Sequence, residues 1–180
     1  SPAFIPDEIH VITTLEGRKR IELMLLDPVQ GHLVQMKRDY PQLVNIILSP
    51  ATIHTIETPE TEQLNDIRTP EDNEHCANTI FRIVQQLTHN RETVLHVSIA
   101  GGRKTMGFYL GNALSLLGRP QDRLSHVLVS EPFENDHQFY YPPPVPKVLI
   151  IHQTREPVST AEARIMLAEI PFVRLRAVLP

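Results

Sequence analysis

Residues 94–107 read Val-Leu-His-Val-Ser-Ile-Ala-Gly-Gly-Arg-Lys-Thr-Met-Gly. An apolar run there meets two glycines, two cations and a hydroxyl, and then passes into a helical pattern. Glycines carry no Cβ, so the backbone at Gly101 and Gly102 can turn sharply and approach a ligand closely. A helix opening at Lys104 presents unpaired N–H groups and the positive end of its dipole at the same point. Arg103 and Lys104 add full charges. The combination suits an anion, and the commonest biological anion is a phosphate. Ala100, Gly101, Gly102 and Thr105 are then candidate ligand contacts. The pattern is not a P-loop, because Arg103 separates Gly102 from Lys104, and it is not the G-x-G-x-x-G dinucleotide fingerprint. A tight β–α turn with solvated cations fits the local pattern equally well.

Other groups offer weaker signals. Thr13 and Thr14 end an apolar segment and can hydrogen-bond a ribose or phosphate, although threonine is also a good strand residue. Arg18, Lys19 and Arg20 form a cationic cluster that equally suits a solvated helix start. Asp66, Arg68 and Asn73 surround a helix N-terminus at which capping alone accounts for Thr69 and Asp72. His96 lies within a strand and reads as a satisfied, partly buried histidine rather than a general base. Glu131 and Glu134 follow a strand end without an assigned role. Tyr140 and Tyr141 can stack a base or simply pack an arm of the chain. The nine histidines are scattered, with no H-x-x-x-H or Cys-x-x-Cys spacing, so no protein-bound metal or other cofactor is expected.

The elements that must position these groups alternate. Glu8–Thr14 reads as a strand ending at Leu15-Glu16-Gly17, with a helix from about Arg18. Pro28 interrupts it, and a second helical stretch reaches Tyr40 before Pro41. Val44–Leu48 reads as a strand or a loop, and Thr52–Glu57 as a short strand. Thr69, Pro70, Glu71 and Asp72 form a helix start, with apolar spacing to about Asn90. Val94–Ile99 reads as a buried strand, Lys104–Leu117 as a helix stopped by Gly118, and Leu124–Val129 as a strand. Phe139-Tyr140-Tyr141 before three prolines reads as an extended arm. Val148–Ile151 reads as a strand, Thr160–Ala168 as a short helix, and Phe172–Leu175 closes the readable structure. Strands alternating with helices of ten or more residues imply an α/β, Rossmann-like, largely parallel sheet with helices on both faces. Ligands in such sheets sit outside the strands' carboxyl ends. The loops at 14–17 and 100–104 both follow strand carboxyl ends and can share one crevice.

The 180 residues suit a single domain. A formal net charge of −4 argues against holding a long nucleic acid by bulk charge. One cysteine, Cys76, excludes an intramolecular disulfide and suits a reducing, cytoplasmic setting. No apolar run approaches bilayer length, and no membrane partner is expected.

Five blocks carry a resemblance: Ile9–Gly17, Asp66–Glu74, Ser98–Gly107, Gly118–Glu131 and Glu169–Arg176. They resemble the CRISPR-associated ring nuclease family built on the CARF (CRISPR-associated Rossmann) fold, and the similarity runs over nearly the whole chain. The resemblance implies a homodimeric receptor for cyclic oligoadenylate, the messenger of type III CRISPR systems. Some relatives also cleave that ring without a metal, by attack of a ribose 2′-oxygen on its own neighbouring phosphorus. On this reading Lys104 and Arg103 are the candidate catalytic cations, stabilising charge that grows on the phosphate oxygens. Thr13 and Thr14 join the loop as ligand contacts. A sensor domain that binds the ring and regulates a separate effector is the alternative. A nucleotide-dependent oxidoreductase would need the glycine fingerprint that is lacking here. In the family, a strand, a Thr-Gly loop and a helix precede the segment matching Ile9–Thr14. The expectation is therefore a chain truncated at its start. The sheet would then have a gap between the strands of Val11 and Val97, to be filled by a longer native chain or a separate fragment.

Overall fold

A computed structural model describes residues 4–176. The elements run β1 (Val11–Thr13), α1 (Leu15–Met24), α2 (His32–Asp39), β2 (Ile53–Thr55), α3 (Pro70–Leu87), β3 (His96–Ser98), α4 (Lys104–Leu117), β4 (Arg123–Val129), β5 (Val148–Ile150), β6 (Pro157–Ser159) and β7 (Ile165–Glu169). The architecture is α/β and compatible with a Rossmann-like arrangement. Its sheet is in pieces: β1 with β2, β3 with β4 and β7, and β5 with β6. The chain forms two compact units. One comprises residues up to Val11, Glu16–His54 and Leu128–Met166; the other comprises Ile12–Leu15, Thr55–Val127 and residues from Leu167 onward.

The second unit holds the glycine loop. In it β3 and β4 run parallel, with Val97 opposite Leu124 and Ser98 opposite Ser125. Ile170 N–H donates to the Leu124 carbonyl there, and in the first unit, just past the end of β4, Ser130 N–H donates to the Arg164 carbonyl. That pairing makes β7 antiparallel to β4. Helix α3 starts where its sequence dictates. Asp72 N–H donates to Thr69 Oγ1, the Asp72 carboxylate accepts from Thr69 N–H, and Pro70 takes the first turn. Cys76, Ile80, Ile83 and Val84 form its buried face. Ile80 and Val84 meet Val97, Met106, Ala113, Leu114 and Leu124 in the core, with Ile12, Leu64 and Phe172 packed against it. Burial pushes the Cys76 thiol up to about 11, so it stays a neutral core group.

In the first unit, α2 carries an aromatic arm. The His32 and Tyr140 rings stack with centroids 3.5 Å apart. Tyr40 Oη donates to the Pro142 carbonyl at 2.6 Å, and Tyr141 Oη donates to Asp39 at 2.8 Å. Burial and the Asp39 carboxylate together push the Tyr141 phenol up to about 12. Both tyrosines are thus held as a packed arm. Arg18 and Arg20 form ion pairs with Glu22 and Glu16 one turn away, so the cationic cluster is largely neutralised on its own helix.

Several segments differ from the sequence reading. Residues 160–168 are not a helix: a 3-10 turn at Thr160–Glu162 leads into β7. Ala, Glu, Met and Leu favour a helix locally, but pairing along β4 outweighs that preference. Val44–Leu48 forms no strand; it contributes one isolated bridge, Ile47 to Glu8. Leu15-Glu16-Gly17 is not a turn, because α1 already begins at Leu15. Val94 lies outside β3 and is exposed. Gly118 ends α4 with φ −66°, so no left-handed cap is involved. Its glycine is required by space, since a Cβ there would sit 2.4 Å from the Leu114 carbonyl oxygen and 3.2 Å from Phe172.

Candidate functional site

The loop between β3 and α4 takes its shape from two consecutive left-handed residues, Gly101 at φ +91° and Gly102 at φ +75°. Any side chain strains that backbone, although a Cβ on Gly101 would meet nothing within 4 Å. Glycine is therefore needed at Gly101 for conformation, and at Gly102 for conformation plus the nearby Met106 sulfur, 3.1 Å from where a Cβ would sit. The turn delivers the chain into α4 with Arg103 at the N-cap and no side-chain hydrogen bond capping the first turn. The helix end keeps its donors and dipole available on the loop side.

Around this loop lies an open groove of about 620 Å³ lined by Gly101, Gly102, Arg103 and Lys104 and, along α4, by Gly107, Phe108, Gly111 and Asn112. Ile99, Leu124 and Ile170 form its apolar floor. Of the expected contacts, the groove gathers Gly101, Gly102, Arg103 and Lys104. Ala100 and Thr105 flank it without lining it. Thr13 and Thr14 also stand outside the lining; the Thr13 carbonyl instead accepts Ile56 N–H beside β2.

The two cations differ. Arg103 Nη2 donates to both Asp66 oxygens, at 2.9 and 2.8 Å. Asp66 also accepts from Ile67 N–H at 2.8 Å and from Arg68 Nε at 3.2 Å. The Arg103 hydrogen bond, with help from Ile67 and Arg68, holds the Asp66 carboxyl down to about 2, so it is anionic at any physiological pH. Lys104 is exposed and has no ion pair among the described residues. It is an exposed point charge at the helix start, placed to meet an anion.

Sequence reasoning missed the Asp66–Arg103 pair. The two residues lie 37 positions apart, and the capping motif beside Asp66 already accounted for that segment. It also missed Phe108 and Asn112, for which a signal existed. Met106, Ala113 and Leu114 are the buried residues of α4, and helical spacing sets Phe108 on the opposite side. Phe108 is 65 % exposed. Elsewhere, His96 Nε2 contacts Ser125 Oγ at 2.8 Å, a satisfied histidine between paired strands. Asn73 on α3 donates to Tyr109 Oη on α4, so this segment ties two helices together.

Among the described residues, no group of three or more His, Cys, Asp or Glu could hold a metal ion, and no helix is long and apolar enough to cross a membrane. No curated protein matches the chain significantly. A protein-family model, CRISPR-associated protein NE0113 (Cas_NE0113), matches residues 2–180. With nearly its whole length matched, the chain belongs to this CRISPR-associated family.

Proposed function

We propose that this protein binds cyclic oligoadenylate, with cyclic tetra-adenylate the expected ring, and linearises it to switch off type III CRISPR signalling. The observation that carries the reading is the loop itself: two left-handed glycines aim the uncapped N-terminus of α4 and the free Lys104 into one groove. Membership of a CRISPR-associated family supports a CRISPR messenger as that anion.

Nucleophile and electrophile belong to the same ring, so the protein's main task is to hold one ribose in line with its own phosphate. The 2′-hydroxyl gives up its proton as its oxygen bonds to phosphorus, the bond to the 5′-oxygen breaks, and that oxygen takes up a proton and leaves as a hydroxyl, with no net gain or loss of protons. The product ends in a 2′,3′-cyclic phosphate. Negative charge on the non-bridging oxygens is greatest during this exchange, and Lys104 is placed to meet it. Arg103, the other cation of the loop, contributes to affinity.

An even-membered ring has two-fold symmetry and matches a C2 dimer with two facing loops. The α4 face supports this reading. Gly107 and Gly111 each have room for a Cβ, 3.6 Å from Ile99 and 4.0 Å from Leu124, so packing within one subunit does not require glycine there. Each glycine costs the helix about 1 kcal/mol relative to alanine. Close approach of a second α4, or of the ring along this side of the groove, accounts for that cost.

The test is incubation with cyclic tetra- and hexa-adenylate, with products resolved by chromatography. The reading predicts linear products ending in a cyclic phosphate. Tight binding without product would identify a sensor, and no binding of either ring would refute the reading.

A further inference from the structure

Among the described residues, Asp66 is the one carboxylate paired with a cation of the glycine loop. The pair is partly open to solvent, with the Arg103 side chain 56 % and the Asp66 side chain 22 % exposed. Only Nη2 of Arg103 is engaged, shared between both carboxylate oxygens, rather than the two-nitrogen fork that makes arginine–carboxylate pairs strong. Exposed single-nitrogen contacts of this kind are readily exchanged. Asp66 is itself well anchored: Ile67 N–H and Arg68 Nε bond it independently of Arg103. If Arg103 swings away, the carboxylate keeps two donors and is not left bare, which lowers the cost of release.

We infer that Asp66 is an internal counter-anion for Arg103, occupying the guanidinium until a phosphate in the groove displaces it. Affinity for the phosphate is thereby set lower than the loop could reach, and Arg103 joins the ligand only after leaving Asp66. The inference rests on the reading above that this loop takes a phosphate. It adds a regulating residue to that site.

The experiment is a binding cycle by calorimetry on wild type, Asp66→Asn, Arg103→Ala and the double variant. Inorganic pyrophosphate and cyclic tetra-adenylate serve as separate probes. Asparagine retains an acceptor for Ile67 N–H, and Asp66→Ser is a second variant that does the same through a hydroxyl. In wild type, removing the carboxylate should tighten binding about two- to fivefold, the range an exposed ion pair supplies. In the Arg103→Ala background the same change should have no effect. Unchanged or weaker binding in both Asp66 variants would overturn the inference. So would equal tightening with and without Arg103, which would mean simple charge repulsion rather than competition for the guanidinium. If the cycle holds for pyrophosphate while cyclic tetra-adenylate fails to bind, the counter-anion stands and the ligand reading falls. If the ring binds but the cycle fails, the reverse is true. Absence of binding by both probes overturns both.

Discussion

Removing the Asp122 carboxylate should cost this protein more stability than any change at its groove. Asp122 is fully buried and Arg119 is 5 % exposed. The carboxylate accepts from Arg119 Nη2 at 2.7 Å, Arg119 Nε at 2.9 Å, Arg119 N–H at 2.7 Å and Leu95 N–H at 3.0 Å. Arg119 reaches on to the Asn90 carbonyl and Thr93 Oγ1. Arg174, lying over the Phe172 ring, donates to the Asp122 and Arg119 carbonyls. Leu95 precedes β3 and Arg123 opens β4, so this cluster fixes the entry of both strands. Asp122→Ala leaves a buried guanidinium facing nothing at Nε and Nη2. Breaking a buried pair from one side in this way costs about 3–5 kcal/mol. Replacing both partners, as Arg119→Met with Asp122→Leu, removes the uncompensated charge and should recover much of the loss. Burial alone would raise the Asp122 carboxyl, but the donors from Arg119 and Leu95 outweigh it and hold it low. A carboxylate with a depressed folded pKa contributes fully above its unfolded value, about 3.9, and that contribution is lost as pH falls through the folded value. Urea unfolding followed by circular dichroism at pH 7 and at about pH 3, below the unfolded carboxylate value, measures the effect. A cost below about 1 kcal/mol for Asp122→Ala, or a double variant worse than the single one, would refute the reasoning.

Other outcomes follow from the loop and its helix. Gly101→Ala and Gly102→Ala should each destabilise by about 1–2 kcal/mol through left-handed strain. Gly102→Ala should be the worse because of Met106, and both should weaken ligand binding in calorimetry; a neutral Gly101→Ala would contradict the loop conformation. Gly107→Ala should raise helix stability by about 1 kcal/mol yet weaken self-association in light scattering. A variant associating as well as wild type would refute the proposed packing of α4 against a second copy. The Asp66 carboxyl carbon should titrate by NMR at about 2, so the pair with Arg103 is intact from neutral pH to about pH 4 and lost only as pH falls toward 2. Titration in the ordinary carboxylate range would show that the pair does not form in solution.

The parts of this structure that were legible in the sequence are those governed by local rules. The Thr69–Asp72 box set the start of α3, and the Gly-Gly-Arg-Lys pattern placed the turn and helix that follow β3. Both depend on residues within four positions of one another. Failures came where distant pairing decides. Residues 165–169 have helical composition and become a strand because β4 offers an edge. Gly118 does end α4 as expected, but glycine is needed there for space against Leu114 and Phe172 rather than for a left-handed turn. Likewise, Asp66 could not be matched to Arg103 from spacing. The role of Phe108 was recoverable from the helical wheel of α4, since its core residues Met106, Ala113 and Leu114 leave Phe108 on the outer side.

The central claim is that Lys104 meets the charge developing on a ring phosphate. Single-turnover cleavage of cyclic tetra-adenylate by wild type and Lys104→Ala, with binding measured in parallel, tests it most directly. A group aimed at transition-state charge affects rate more than affinity. The account predicts a loss of about 10²–10³ in rate with a much smaller loss in binding. Cleavage by Lys104→Ala at the wild-type rate would contradict it.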